Sequence, residues 1–197
     1  MHIGLVRHFP VTEAMPRGWL SSDDLHHWPF RYDAAEPVVG EFDLGGVRWQ
    51  ACLCSDQPRA IATAVRIHGE GVEHTPLLRE ARFERFRTGG LRLPFGAWKW
   101  RLRLSWMSGH ASQRHCRDDF RHRVGTVADR LVAMDRDVLV VSHAGMIACL
   151  ATALRRRGFV GPVVRAARHA HTCVYRKARI CTPVGGVAEA DGWETPS

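Results

Sequence analysis

The chain has 197 residues, of which 45% are hydrophobic, and a net charge of +8. This length and apolar content predict one globular domain over residues 1–197. The sequence has no apolar stretch long enough to span a bilayer, and its first apolar run starts too close to Met1 for a secretory leader. We therefore expect a cytoplasmic protein. Its six cysteines lie mostly in apolar or strand-like segments, which predicts reduced, buried thiols.

The predicted elements alternate between strand and helix along the chain. Short apolar runs predict buried strands at 2–6, 50–54 and 137–143, and "HTCVYRKARI" predicts a further strand within 171–180. Amphipathic segments predict helices over 58–69 and 144–158, each with a glycine at its end. This order predicts an α/β fold: a three-layer α/β/α sandwich with a mostly parallel central sheet and a small lid insertion.

Two segments depart from this pattern. Residues 9–48 are rich in Pro, Asp, His and Trp and predict loops with short helices, one of which opens at Ser21 or Ser22. Residues 83–108 predict the lid. Within the lid, "AWKWRLRLSW" alternates apolar and basic residues, which favours a strand or an extended edge over a helix. Its two sides would carry Trp98, Trp100, Leu102, Leu104 and Trp106 on one and Lys99, Arg101 and Arg103 on the other.

This stretch has two interpretations, a packed face with solvated cations behind it or a lid that selects an anionic substrate. Basic residues are concentrated around it, because residues 81–130 hold twelve Lys or Arg against four Asp or Glu. Such a field attracts anions. It does not distinguish a phosphorylated metabolite from a phosphoprotein or a nucleic acid.

Polar side chains follow three of the predicted strands. In an open parallel sheet the ligand crevice lies outside the carboxyl ends of the strands. Arg59 falls in the first turn of the helix after the second strand, where backbone N–H groups add to its attraction for an anion. The residues that this rule brings to one edge are Arg7, His8, Ser55, Asp56, Arg59, Ser142 and His143.

Four motifs resemble those of the histidine phosphatases, also called the phosphoglycerate mutase-like superfamily. They are "LVRHF", "WQACLCSDQPRAIATA", "PLLREARFERF" and "VLVVSHAGMI", in the order of the family, over roughly residues 3–155. The resemblance implies that Arg7 and His8 are the family's Arg-His pair and that Arg59 is its second arginine. It places Glu80 in the family's Leu-x-Glu stretch and His143 in its Ser-His-Gly motif.

The resemblance implies His8, Glu80 and His143 as catalytic residues, with Arg7, Arg59 and His143 as substrate-binding residues. A neutral imidazole is a competent nucleophile toward phosphorus, so His8 would form a phosphohistidine that water then hydrolyses. The two arginines can clamp phosphoryl oxygens bidentately, and His143, if protonated, adds a third positive donor.

The leaving alkoxide needs a proton and the later water needs a base, and one carboxyl group can serve both steps. Glu80 stands at the family's position for this group. Glu84, one helical turn further on, is the first alternative, and Asp56 is the second.

The chain also departs from the family pattern. Phe9 stands where a glycine usually follows the Arg-His pair, and Pro10 and Val11 replace a polar residue that often binds phosphate. After Glu80, "ARFERF" lacks the Gly-x-Trp-x-Gly pattern common in the mutases. We therefore expect a phosphatase that hydrolyses phosphomonoesters rather than a mutase.

No metal or cofactor is expected. The chain has no CxxC pair, and its closest group of metal-binding residue types fits no zinc spacing: His110, His115, Cys116 and His122. Three positive groups would supply the charge that magnesium supplies in other phosphoryl-transfer sites. The expected partner is a phosphorylated small molecule or a phosphoprotein, and neither a membrane nor a nucleic acid is expected.

Two alternative functions remain open from the sequence. One is a catalytically weak protein that binds a phosphorylated ligand on the same fold. The other is nucleic-acid binding through the Trp and Arg stretch, in which aromatic stacking combines with phosphate contacts. A complete set of nucleophile, arginines and acid speaks against a pure binding module, which has no need of a nucleophile and an acid together.

Overall fold

The structure, a computed structural model, describes residues 1–178. A 3₁₀ turn, Pro76–Leu78, follows the fourth strand. The elements in chain order are β1 (His2–Arg7), β2 (Trp19–Leu20), α1 (Ser22–Ala34), β3 (Ala51–Ser55), α2 (Pro58–His68), β4 (Val72–Thr75), β5 (Leu93–Pro94), α3 (Phe95–Met107), α4 (Ala111–Ala133), β6 (Val138–Ser142), α5 (Ala144–Arg156), β7 (Phe159–Val160) and β8 (Thr172–Lys177).

Six strands form one sheet in the order β4-β3-β6-β1-β8-β7. The first four are parallel, whereas β8 runs antiparallel to β1 and β7 antiparallel to β8. Arg7 pairs with Ser142 and Cys54 with Val141, so the carboxyl ends of β1, β6 and β3 are level. The predicted α/β fold with a mostly parallel sheet is confirmed, and three neighbouring strands end at one edge.

Helices cover both faces of the sheet. Val138 and Val140 of β6 join the core formed with α4 and α5, whereas Leu139 and Val141 join the core on the side of α2. Because this strand is buried on both faces, its sequence is a continuous apolar run rather than an alternating one. No helix within residues 1–178 is long and apolar enough to cross a membrane.

The lid contains a helix, so the expected strand or extended edge at 97–106 is wrong. Trp98 is fully buried and Trp106 half-buried, whereas Trp100 and Leu104 are 66% and 61% exposed. Positions 98, 102 and 106, which are buried or half-buried, are four residues apart, which is a helical spacing. The sequence did not reveal this spacing, because Trp100 and Leu104 between these positions are apolar too.

The lid packs on residues 19–22, which lie in the first of the two segments that depart from the strand and helix pattern. β5 pairs with β2, and the Trp98 indole N–H donates to the Leu20 carbonyl at 2.8 Å. The Phe86 N–H donates to the Ser22 hydroxyl in the first turn of α1 at 3.1 Å. The lid therefore supports α1, whose predicted start is also found, with Ser21 as the N-cap of a capping box with Asp24.

Further details concern the strands and the cysteines. The strand β4 ends at Thr75, because Pro76 has no N–H for the ladder and opens the 3₁₀ turn. Cys149 is exposed on α5 rather than buried, although Cys52 and Cys54 are buried as expected. The last residues of the strand predicted within 171–180, and Cys181, lie outside the described residues.

Replacing Trp98 with Ala is expected to lower the free energy of unfolding by about 3–5 kcal/mol, because it empties a buried site and leaves the Leu20 carbonyl without its donor. Trp100→Ala on the same helix is the matched control and should change stability by less than about 1 kcal/mol. Urea unfolding of both variants measures the difference, and equal losses would contradict the orientation of α3.

Candidate active site

The site lies at the carboxyl ends of β1, β3 and β6. His8 directly follows β1, His143 directly follows β6, and Arg59 lies in the first turn of α2 behind β3. Their side chains are almost completely buried, with exposed fractions of 2%, 2% and 3%. The structure thus brings together three of the residues that the sheet-edge rule selected, in a place sealed from bulk water.

The His8 ring is held as one neutral tautomer. Its Nδ1 lies 2.6 Å from the Phe9 carbonyl oxygen, which can only accept, so Nδ1 carries the proton. Its Nε2 accepts from Arg59 Nε at 3.2 Å and therefore carries the lone pair. Burial, with the positive charge of Arg59 as the second cause, lowers the pKa of His8 to about 3. At neutral pH His8 presents an unprotonated Nε2 to the site.

Arg59 links the two histidines. Its Nε donates to His8, and its Nη2 donates to His143 Nδ1 at 3.2 Å, so one edge of the guanidinium spans both rings. Thr63 ties this helix to the end of β1, because its hydroxyl donates to the Arg59 carbonyl and accepts from the Phe9 N–H. Phe9, which replaces the family's glycine, is fully buried.

Two buried donors at the site have no partner among the described residues. They are His143 Nε2, which carries the ring proton because Nδ1 accepts from Arg59, and Arg7 Nε. An unpaired buried donor costs about 1–3 kcal/mol, which an anion with several acceptor oxygens would remove. Burial, then the charge of Arg59, lowers the pKa of His143 well below its usual value. His143 is therefore a neutral donor here, not the third cation considered from the sequence.

Glu80 contacts the site from the 3₁₀ segment. Its carboxylate accepts from Gly145 N at 2.8 Å and Met146 N at 3.2 Å, both in the first turn of α5, and from Ala81 N at 2.9 Å. A Cβ on Gly145 would lie 2.6 Å from Glu80 Oε1, so the approach requires glycine there. The N-terminus of α5, which directly follows His143, therefore positions Glu80.

The segment that carries Glu80 is anchored from two sides. The buried Ser142 hydroxyl donates to the Leu78 carbonyl at 2.7 Å, and Arg123 on α4 donates to the carbonyls of Leu77 and Arg79. The Ser142 hydroxyl therefore makes a structural hydrogen bond and is not available to bind an anion.

A cleft of about 360 Å³ opens beside Glu80. It is lined by Pro76, Arg79, Glu80, Arg82, Glu84, His115, Cys116, Asp119 and Arg123.

The two alternative acids are placed differently. Asp56 forms a bidentate pair with Arg79, at 2.7 and 2.6 Å, and this pair lowers the pKa of the Asp56 carboxyl. Glu84 is exposed, and its carboxylate accepts from the Cys116 thiol across the cleft at 3.5 Å. Ser55 is buried at the end of β3, where its hydroxyl accepts from the Gln57 N–H.

Sequence reasoning missed Asp33, at the end of α1. Its carboxylate accepts from Arg59 Nη1 at 2.7 Å and from Gln57 Nε2 at 2.8 Å, and Gln57 Oε1 accepts in turn from Arg59 Nη2 at 2.7 Å. The neighbouring Tyr32 ring lies 5.1 Å from the Arg59 guanidinium carbon and 6.2 Å from the His8 ring centroid. No pattern in residues 9–48 pointed to this contact, because it arises from how α1 packs on α2.

His169 was also missed. Its Nδ1 donates to the His8 carbonyl at 2.7 Å, and its ring centroid lies 5.3 Å from that of His8. Ala170 N donates to the Arg7 carbonyl, and Arg7 Nη1 donates to the Ala167 carbonyl. Burial lowers the pKa of His169. Because β8 is antiparallel to β1, the residues before β8 lie at the carboxyl end of β1, and a correct strand direction would have revealed them.

No metal site is formed by the residues that the structure describes. Between positions 1 and 178, no group of three or more His, Cys, Asp or Glu side chains is arranged to hold a metal ion. The imidazoles of the site are instead bonded to Arg59 and to backbone carbonyls.

A comparison with known families shows the superfamily to which this fold and cluster belong. The model of the histidine phosphatase superfamily (branch 1) matches residues 38–176, so the chain belongs to that superfamily, whose members are phosphatases or mutases. The matched range includes Arg59, Glu80 and His143. Arg7 and His8 precede it, and their placement rests on the geometry of β1.

The fold is shared with a solved structure. A phosphoglycerate mutase from Bacillus anthracis str. Sterne is 17% identical, with a TM-score of 0.52, over 91% of this chain and 92% of that one. YhfR from Bacillus stearothermophilus is 16% identical, with a TM-score of 0.49, over 88% and 89%. No curated sequence matches the chain. At these identities the likeness concerns the fold alone.

The His8 imidazole is expected to remain neutral, with its proton on Nδ1, from about pH 5 to 8, because its pKa is lowered to about 3. Long-range ¹⁵N–¹H correlation spectra of the ring nitrogens measure this directly, and a His8→Asn variant assigns the signals. A His8 ring that gains a proton between pH 6 and 7 would contradict the hydrogen-bond network with Phe9 and Arg59.

Proposed function

We propose that the protein is a metal-independent phosphatase that hydrolyses phosphomonoesters through a phosphohistidine at His8. The observation that carries this proposal is the joint arrangement of the unprotonated His8 Nε2 with Arg59 and with the two unpartnered donors, Arg7 Nε and His143 Nε2. A phosphoryl group at this point would satisfy both donors and lie against the nucleophile. Two arginine charges and a neutral imidazole donor would stabilise it.

In the first step His8 Nε2 attacks phosphorus, and the bond between phosphorus and the ester oxygen breaks. The Nδ1–H bond to the Phe9 carbonyl orients the ring and stabilises the positive charge that develops on it. Arg59 Nε and Nη2, which contact the histidines in the free protein, exchange these hydrogen bonds for bonds to the phosphoryl oxygens, while Nη1 stays bonded to Asp33. In the second step water attacks phosphorus, the N–P bond breaks, and inorganic phosphate and neutral His8 are restored.

Glu80 supplies the proton to the leaving oxygen and removes one from the attacking water. It is the carboxyl that borders both the start of α5 beside His143 and the cleft of about 360 Å³. The cleft offers space for the leaving group of a phosphorylated small molecule or of a phosphorylated side chain. Of the two alternative acids, the Asp56 carboxyl is paired with Arg79, and the exposed Glu84 carboxylate accepts from the Cys116 thiol.

A phosphohistidine is expected at His8. Rapid acid-free quenching of the enzyme with a phosphomonoester, followed by peptide mapping, should find acid-labile, base-stable phosphate on this residue, and turnover should persist in EDTA. His8→Asn should lose both label and turnover, whereas His74→Asn, which changes an exposed histidine, should keep both. Label on His143, or binding of phosphorylated ligands without turnover by the intact protein, would contradict the proposal.

Glu80→Gln should slow phosphorylation of His8 by an alkyl phosphate on the order of a hundredfold, because an alkoxide leaves poorly without a proton. An aryl phosphate with a good leaving group should lose much less. Single-turnover bursts measure the phosphorylation step for both substrates. Glu84→Gln is the matched control, and a larger selective loss in that variant would transfer the role to Glu84.

A further inference from the structure

Asp33 forms a closed hydrogen-bonded group with Arg59 and Gln57. The aspartate accepts from both other side chains, and the glutamine oxygen accepts from Arg59 Nη2. Each member of the group has two bonds to the others, so the orientation of the guanidinium about its long axis is fixed. Because Nη1 is held by Asp33, the opposite edge of the guanidinium, Nε and Nη2, faces His8 and His143.

The group runs from the buried base of the site to its mouth. The Arg59 side chain is 3% exposed, whereas that of Asp33 is 35% exposed. A phosphoryl group transferred to His8 must lie at the base, so its leaving group points toward the mouth. The Asp33 carboxylate lies 2.7 Å from Arg59 Nη1, so a negative charge stands beside the phosphoryl site and closer to solvent than Arg59.

The cations of the lid do not contact this group in the part of the chain that is described. Lys99 lies over the Phe95 ring and Arg101 over the Phe86 ring, both within the lid itself. The lid is linked to the site indirectly through α1. It bonds to Leu20, just before α1, and to Ser22, at the start of α1, whereas Asp33 lies at the other end of this helix. The charge that α1 brings to the mouth is negative.

We propose that Asp33 positions Arg59 for the phosphoryl group and that its negative charge at the mouth selects phosphomonoesters whose leaving group is uncharged over those whose leaving group is anionic. This inference rests on the proposed phosphatase function. The carboxylate orients Arg59 through the Nη1 bond, and it repels both the dianionic phosphoryl group and any further negative charge attached to it. Asp33 therefore lowers the affinity of the site for phosphate while it fixes the orientation of the Arg59 guanidinium.

Asp33→Asn removes the charge and keeps an amide oxygen that accepts from Arg59 Nη1, while its NH2 group gives up only the bond from Gln57 Nε2. With 4-methylphenyl phosphate and 4-carboxyphenyl phosphate as substrates, the wild-type protein should prefer the neutral leaving group in kcat/KM. Asp33→Asn should shift this ratio about tenfold toward the anionic one and tighten competitive inhibition by inorganic phosphate about tenfold. Its kcat for 4-methylphenyl phosphate should fall less than that of Asp33→Ala, because Arg59 keeps one acceptor at this position.

Asp33→Ala removes the acceptor as well as the charge, and its kcat should fall at least tenfold below that of Asp33→Asn, because Arg59 loses its orientation. Glu13→Gln is the matched control: it removes a carboxylate paired at 3.3 Å with exposed Arg31 of the same helix and should leave the substrate ratio unchanged. Thermal unfolding of each variant verifies the fold.

Two results would overturn the inference: an unchanged ratio and phosphate affinity in Asp33→Asn, or equal kcat values for Asp33→Asn and Asp33→Ala. Absence of turnover in the wild type would instead overturn the proposed function. The inference would then be decided by calorimetry with inorganic phosphate alone. Tighter binding by Asp33→Asn than by the wild type would support the role of the charge, and equal binding would contradict it.

Discussion

The guanidinium of Arg59 sits almost without water between two imidazole rings, and the geometry of the site depends on this contact. An arginine cannot give up its proton in a protein, so each nitrogen that it faces must accept. This fixes the lone pair of His8 on Nε2 and the proton of His143 on the opposite nitrogen. One positive charge thereby decides the tautomers of both rings and, together with burial, keeps them neutral.

Such a buried cation needs compensation, and the surrounding elements supply it. Asp33 and Gln57 bind the outer nitrogens of the guanidinium, and Tyr32 covers it. These partners come from α1 and from the turn before α2, which lie on one side of the sheet edge. On the other side, the start of α5 holds Glu80 through backbone N–H groups. The site is therefore built where helices from both layers meet the ends of the parallel strands.

The sequence predicted the parts of the site that follow from strand order. His8, Arg59 and His143 stand directly after strands or in the first turn of a helix, and parallel strands bring such positions to one edge. Asp33 and His169 could not be found in this way. The first depends on how two helices pack, and the second on the direction of β8, neither of which leaves a local pattern.

The lid shows a different limit. Its alternation of apolar and basic residues predicted an extended edge, but in the helix that forms only Trp98 is buried, and Leu102 and Trp106, at spacings of four, are half-buried. The periodicity of a sequence shows which residues are apolar, but it does not show which of them pack against another part of the fold. In a segment that packs on one side only, Trp100 and Leu104 stay in solvent, and their presence in the pattern was misleading.

The position of β1 in the sheet sets the order in which the site can form. This first strand leads into His8, yet both of its neighbours, β6 and β8, come from the last third of the described chain. His8 receives its hydrogen bond from His169 across 161 residues. During synthesis, the first strand can therefore pair with β6 only after residues 138–142 have left the ribosome, and with β8 only after residues 172–177 have followed. A nascent or truncated chain that lacks His169 cannot make this bond, so the hydrogen bonds around His8 are complete only when the fold is complete.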